Sequence, residues 1–500
     1  MKKYFLTLII AFLVIAGFNA CSDDYLDVIP TNSVSDELVF NSIENAWGAI
    51  NGMHRILYSQ NAPLRSSGRS DEAGQHGMII HMDMLGEDLV NHTRANGWFI
   101  ATYQWNNHRN ANGTLPFYAY RYYYRMISNA NMIISRIDDV DGPSEDIEHI
   151  KGQAYAYRAW SHWMLVQLYS ERYDAGKGIN DQPGIPYMDD MVYEGKPRGT
   201  VEEVYEKALL DINMAIELLD GKPFRAKSHI SHSIAQGMKA RFALTMQNWE
   251  MAAQMANAAR QGHVLMDQDR LLDGFNDFTN PEFMWASRQS GDQPLFFHSF
   301  YAFMSVNFNS GNIRQNPKKI SERLYTKISD TDARRNWWVE DPTGIEGEIG
   351  APGDVAPYMN QKFRVEDSGV SIGDLPHMRT AEMYLIEAEA LARMGNYSSA
   401  AEVLHELVIT RDSQYQLSAN TGQALIDEIL IHRRIELWGE GFRFLDLKRT
   451  NSALDRTNSN HNSALAVVLN VESGVSDWQF MIPQDEINAN PYFTQDDQNF

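Results

Sequence analysis

A single cysteine, Cys21, in 500 residues leaves no partner within the chain for a disulfide and too few thiolates for a cysteine-held zinc. Positive charge is also scarce, with 43 Lys and Arg against 65 Asp and Glu and a formal net charge of −22. Such a surface repels polyanions, which excludes nucleic acid as a partner. The long apolar run is confined to residues 4–18, in which Thr7 is the only clearly polar side chain, and it falls short of the ~20 residues that span a bilayer. Nucleophile elbow, phosphate loop, HExxH helix and EF-hand loop are all missing. What is present is a hydrophobic fraction of 44% and an aromatic fraction of 11%, enough to build a folded core and to exclude disorder as the main state. At 57.0 kDa the chain exceeds what one compact core usually serves, so several packing units or an extended assembly are expected.

The cysteine stands where an export signal would end. Lys2 and Lys3 precede the apolar run, and Ala20 stands immediately before Cys21. That order predicts a signal peptide over residues 1–20 and a bacterial lipoprotein whose mature N-terminus is acylated Cys21. Phe18 and Asn19 depart from the usual residues before such a cysteine. Ser22, Asp23 and Asp24 then form an acidic tether. Buried acyl chains contribute ~0.8 kcal/mol per methylene, so the lipid would hold an otherwise soluble body at the membrane.

The mature chain reads as mostly α. In residues 379–394, Ala381, Tyr384, Leu385, Ala388, Leu391 and Ala392 share one stripe of a 3.6-residue period. Gly395 and Asn396 end it, and Ala400, Val403, Leu404, Leu407 and Val408 begin a second stripe, which predicts an antiparallel helical hairpin. The pattern repeats at constant offset: Asn248 with Asn396, Trp249 with Tyr397, Ala252 with Ala400, Ala253 with Ala401. An aromatic after the turn and small residues three and four positions later suit a tetratricopeptide-type pair. Further helices are expected at about 42–58, 117–137, 147–169 and 201–219. Two stretches lose the helical period, residues 63–116 and 271–376. Residues 341–376 alone hold six glycines and four prolines, so short strands, turns and loops are expected there. Ordered loops of this length usually carry function.

On these features the chain resembles the SusD/RagB family of Bacteroidetes. The residues that carry the resemblance are Tyr25-Leu26-Asp27 with Ala46-Trp47-Gly48-Ala49-Ile50-Asn51-Gly52; Tyr124 and Ile127 with Asn129 and Asn131; Met378 to Glu382 with Glu387 to Ala390; Arg433-Arg434 with Glu436-Leu437 and the run Glu440 to Arg449; and Ile482-Pro483-Gln484 with Asn490-Pro491. The resemblance implies a SusD-like fold in which helical hairpins frame an irregular, loop-rich layer. It divides a single unit, residues 21–500, into an N-terminal helical part (about 24–265), a loop-rich insert (266–376) and a C-terminal part (377–500). It also implies a lipid-anchored outer-membrane protein that binds oligosaccharide without catalysis or cofactor and serves a TonB-dependent, SusC-like transporter. Peptide binding or a scaffold role is the alternative, and a hydrolase the weakest reading. Arg434, Glu436, Glu440, Arg443 and Asp446 read as an internal charge cluster and Pro483 to Pro491 as a chain-terminating staple. Neither reads as a ligand site.

Candidate ligand groups concentrate in the two irregular stretches. Aromatic faces can bury the CH face of a sugar while side-chain amides meet its hydroxyls. The first stretch offers Trp98, Tyr103 and Trp105 among Asn96, Asn106, Asn107 and Asn112. The second offers Phe296, Phe297, Tyr301 and Phe308 among Asn307, Asn309 and Asn312. The site expected from them is Asn96, Trp98, Tyr103, Trp105, Asn106, Tyr301 and Asn309. Trp160, Trp163, Trp249 and Trp438 sit at packing spacings and read as core, and at least one of Trp337 and Trp338 is expected to be structural. His76 with His81 and His229 with His232 lack the companions a metal site needs. Asp83, Glu87 and Asp88 form the tightest acidic group and read as solvated or as capping backbone.

Overall fold

The structure is a computed structural model that describes residues 39–60, 69–191, 194–291 and 295–500. The signal segment, Cys21, the tether and the Phe296 side chain lie outside the described residues. The helices that frame the molecule are α1 Ile43–Ile56, α2 Gly74–Met84, α3 Thr114–Arg136, α4 Ser144–Tyr169, α5 Val201–Leu219, α6 His232–Thr245, α7 Trp249–Arg260, α8 Thr380–Arg393, α9 Tyr397–Val408, α10 Gly422–Glu436 and α11 Arg443–Arg449. Each helix from α3 to α9 packs on the one that follows it. The interval between α7 and α8 is therefore looped out of a continuous helical stack.

Local chemistry explains the hairpins. Thr200 and Glu203 form a reciprocal capping box at the start of α5, with N–H to oxygen distances of 3.1 and 2.8 Å. The two matched turns both reverse through a left-handed residue, Gln247 at φ 59° and Gly395 at φ 84°, as helix C-termini commonly do. Asn248 caps α7 by accepting the Met251 N–H at 3.2 Å, whereas Asn396 makes no such bond to α9. Ala252, Ala253 and Ala256 of α7 and Ala388 and Ala392 of α8 are buried. Side chains that end at Cβ let the helix ridges approach closely. Trp160, Trp163 and Trp438 are core residues, but Trp249 is only half-buried, with the Arg393 guanidinium 4.9 Å from its ring.

The irregular stretches meet in a four-stranded antiparallel sheet. Its order is β1 (Leu89–Asn91), β3 (Lys318–Ile320), β5 (Met359–Asn360) and β4 (Trp338–Val339), with Leu89 opposite Ile320. A separate antiparallel pair, β2 (Phe283–Ser287) and β6 (Leu375–Arg379), returns the insert to the stack, because β6 runs directly into α8. Trp337 and Trp338 are both buried. Residues 63–116 hold one helix that has no amphipathic stripe, α2, whose residues are buried on nearly every side. The C-terminal segment folds back onto α4, where the Leu168 carbonyl accepts the Phe480 N–H at 2.8 Å and the Tyr169 carbonyl accepts the Asn499 side-chain amide at 2.6 Å.

The charged motif residues lie inside. Arg334, Lys362, Arg379 and Arg411 face Glu282, Asp332, Glu436 and Glu440, all buried. Glu436 alone accepts from Arg379 at 2.9 Å, Arg334 at 3.1 Å and Arg411 at 3.1 Å. Lys362 and Arg379 both donate to Glu440 at 2.7 Å, and Arg411 donates to Glu282 at 2.7 Å. Four cations thus balance four anions, which is the condition for burying charge at tolerable cost. Beside them Asp446 binds Arg433 and Arg449 at 2.8 and 2.7 Å. Of the acidic trio, expected to be solvated or to cap backbone, Asp83 does accept a backbone N–H, from Gly441 at 3.0 Å, whereas Asp88 and Glu87 are buried in pairs with Arg434 and Arg443. Burial, with Asp88 and Glu440 nearby, pushes the Asp83 carboxyl up to about 8 against the pull of Gly441 and Lys362.

Candidate functional site

The turn through residues 94–99 is shaped by its backbone. Ala95, Gly97 and Phe99 have φ of 40°, 83° and 63°, and the two non-glycine residues in that region cost on the order of 1–3 kcal/mol each. Phe99 is buried against Phe303, ring centroids 5.0 Å apart, and anchors the turn. Trp98 is left half-buried at its crest. The Arg69 guanidinium lies 5.3 Å from the Trp98 ring, within the range of a cation–π contact. Arg69 is itself held by two 2.9 Å bonds to Asp71.

The second irregular stretch closes onto this turn. Exposed Asn96 donates to Asn312 at 3.0 Å, and Asn316 accepts the His92 and Thr93 N–H groups at 2.8 and 3.1 Å. Gln60 donates to the Arg69 carbonyl at 2.9 Å and lies 3.4 Å from His298 Nδ1. Phe297, beside His298, is 53% exposed, its ring 6.1 Å from buried Phe308. Asn309 is exposed and accepts from Arg314. These contacts tie together two segments that carry accessible rings, Trp98 and Phe297, with the amides of Asn96 and Asn309 and the guanidiniums of Arg69 and Arg314. Rings with neighbouring planar donors and acceptors can bury an apolar ligand face and pair its hydroxyl rim.

Three of the expected rings are not on that surface. Tyr103 is fully buried, its hydroxyl bonded to His461 Nδ1 and its ring 4.6 Å from the Arg456 guanidinium. Trp105 is buried too, its indole N–H bonded to the Leu85 carbonyl at 3.0 Å and its ring edge-on to Trp478. Tyr301 lies under the insert, donating to the carbonyls of Phe275 and Asp374. All three fill space beneath loops and cannot present a face to ligand. Asn106 is exposed on the turn anchored by Trp105, apart from the contacts that gather Asn96, Trp98 and Asn309. Asn107 and Asn307 are consumed by Thr114 and Val365. Sequence reasoning passed over Arg69, although it lies in the same irregular stretch as Trp98, because only rings and side-chain amides were weighed there. Among the described residues no group of three His, Asp or Glu side chains gathers as a metal site would need, and no helix is long and apolar enough to cross a membrane.

Comparison with known proteins agrees with this architecture. Residues 24–244 match the family described as starch-binding and associating with the outer membrane, and residues 355–499 match the SusD family. SusD-like protein P38 of Formosa agariphila is 24% identical over 91% of this chain and 93% of its own. A SusD-like carbohydrate binding protein from Bacteroides vulgatus superposes with a TM-score of 0.78 at 23% identity, covering 92% of this chain and 98% of its own. A SusD superfamily protein from Bacteroides thetaiotaomicron gives 0.75 at 21%, covering 92% and 100%. With the helical stack, the looped-out insert and both terminal matches in place, this chain belongs to the SusD family.

Proposed function

We propose that the protein is a surface-exposed lipoprotein, anchored through Cys21, that captures oligosaccharide and delivers it unchanged to a partner TonB-dependent, SusC-like transporter. The observation that supports the binding part is that Trp98 stays half-buried beside Arg69 and Phe297 stays exposed, in two segments tied together by the Asn96–Asn312 and Gln60–His298 contacts. Family membership supports the outer-membrane setting. The lipid would raise the local concentration of the binder beside its partner, so that weak contact affinity suffices. Affinity electrophoresis of the wild type, Trp98→Ala and Phe297→Ala across a panel of glycans tests the reading. A retained glycan should lose most of its retardation in either variant, while the exposed Phe297→Ala leaves the melting temperature within about 1 °C. Equal retardation of all three proteins by every retained glycan would sink the assignment.

A further inference from the structure

A recess of about 160 Å³ opens where the C-terminal end of α1 meets β2. Its walls include Asn51, His54 and Arg55 from α1 and Ser228, Ser287 and Arg288 from the facing segments, and no carboxylate lines it. That composition is unusual in a chain with 65 acidic residues. Arg55 and Arg288 are both exposed, and neither appears in any ion pair among the described residues. Asp374 feels the Arg288 charge only from beyond ion-pair distance.

His54, 6% exposed, lies 2.6 Å through its Nδ1 from the Tyr157 hydroxyl and forms part of the buried wall of the recess. Basic residues in the last turn of a helix suit its dipole, which accounts for Arg55. It does not account for Arg288, which arrives from another element. The recess is also smaller than the 300–1,000 Å³ of a pocket for a whole organic ligand. It fits a headgroup.

We propose that this recess binds a single oxyanion, a carboxylate or sulfate carried by an acidic saccharide, between the Arg55 and Arg288 guanidiniums. The saccharide as bearer rests on the carbohydrate-binding reading above, whereas the oxyanion site does not. Tyr58 lines the recess, and Gln60, two residues on, donates to the Arg69 carbonyl.

Calorimetric titration of the mature chain with sodium sulfate, sodium glucuronate and glucose at fixed ionic strength tests the site, with an Arg55→Met/Arg288→Met double variant as control. The expected result is saturable binding of sulfate and glucuronate, none of glucose, and at least a tenfold loss in the double variant with an unchanged melting temperature. Absence of saturable anion binding, or equal binding by the variant, overturns the site. A uronate-containing or sulfated oligosaccharide should bind more tightly than inorganic sulfate and lose that advantage in the variant. Sulfate binding with no gain for acidic over neutral oligosaccharides overturns the saccharide bearer. Sulfate binding with no glycan retained at all would instead overturn the carbohydrate reading and leave the oxyanion site standing.

Discussion

Replacing Glu436 by Gln keeps the shape of the side chain and removes one of the four negative charges that balance Arg334, Lys362, Arg379 and Arg411. Breaking a buried pair from one side typically costs 3–5 kcal/mol. The lower end applies here, because Arg379 keeps Glu440 and Glu282, Arg411 keeps Glu282 and Arg334 keeps Asp332. Unfolding entropy of about 2 cal/mol/K per residue gives about 1 kcal/mol/K for a chain of this size, so a loss of about 3 kcal/mol lowers the melting temperature by about 3 °C. Scanning calorimetry at pH 7 reads this directly. Arg411→Met in the Glu436→Gln background restores neutrality, and the double variant should lose less than the sum of the two singles. Burial alone would raise the Glu436 pKa, but Arg411, Arg379 and Arg334 outweigh it and hold the group well below the usual carboxylate range. With the folded pKa depressed, the contribution is complete above the unfolded value of about 4.3 and is lost as pH falls through the folded one. The gap between variant and wild type should therefore close in acid. A Glu436→Gln protein that melts within 1 °C of wild type at pH 7, or an additive double variant, would refute the idea that charge balance holds this core.

Asp83→Asn tests the opposite case. The Asp83 pKa, pushed up to about 8 chiefly by burial, lies above its unfolded value of about 3.9, so the folded state binds the extra proton and wild type loses stability from about pH 4 to pH 8. Asparagine keeps an oxygen for the Gly441 N–H without the charge, and the melting temperature of the variant relative to wild type should climb between pH 5 and pH 8. A constant difference would show that Asp83 does not titrate in that window. Cys21→Ser should release the protein from the membrane fraction of the producing cell into soluble fractions without changing glycan retention. Continued membrane association of that variant would remove the lipid anchor from the proposal.

The helical frame was legible because it obeys a period. Ala381 to Ala392 and Ala400 to Val408 lie on stripes that only a helix aligns, and the Asn248 and Asn396 turns repeat at one offset. Helix α2 was not legible, since GQHGMIIHMDM is buried all round and leaves no polar face to set a phase. The internal role of Glu436, Glu440 and Asp446 could be read from their density of opposite charge. Their partners Glu282, Arg334, Lys362 and Arg411 could not, because pairs such as Arg334 and Glu436 are 102 residues apart. The site failed in part for a related reason. Composition brings a ring to a loop but says nothing about which side of the loop faces solvent, and Tyr103, Trp105 and Tyr301 turned inward while Trp98, between the left-handed positions Gly97 and Phe99, stayed half-buried at the surface.

The balanced charge core also sets an order of events during biogenesis. Its cations stand at positions 334 to 411 and two of its anions at 436 and 440, so a polypeptide emerging N-terminus first has threaded most of its length before the last neutralising groups arrive. Until then Glu282 and Asp332 are the only anions of the cluster in place, too few to balance its four cations away from water. For the exported lipoprotein proposed above, a lock whose key lies near the trailing end would suit machinery that needs an unfolded thread.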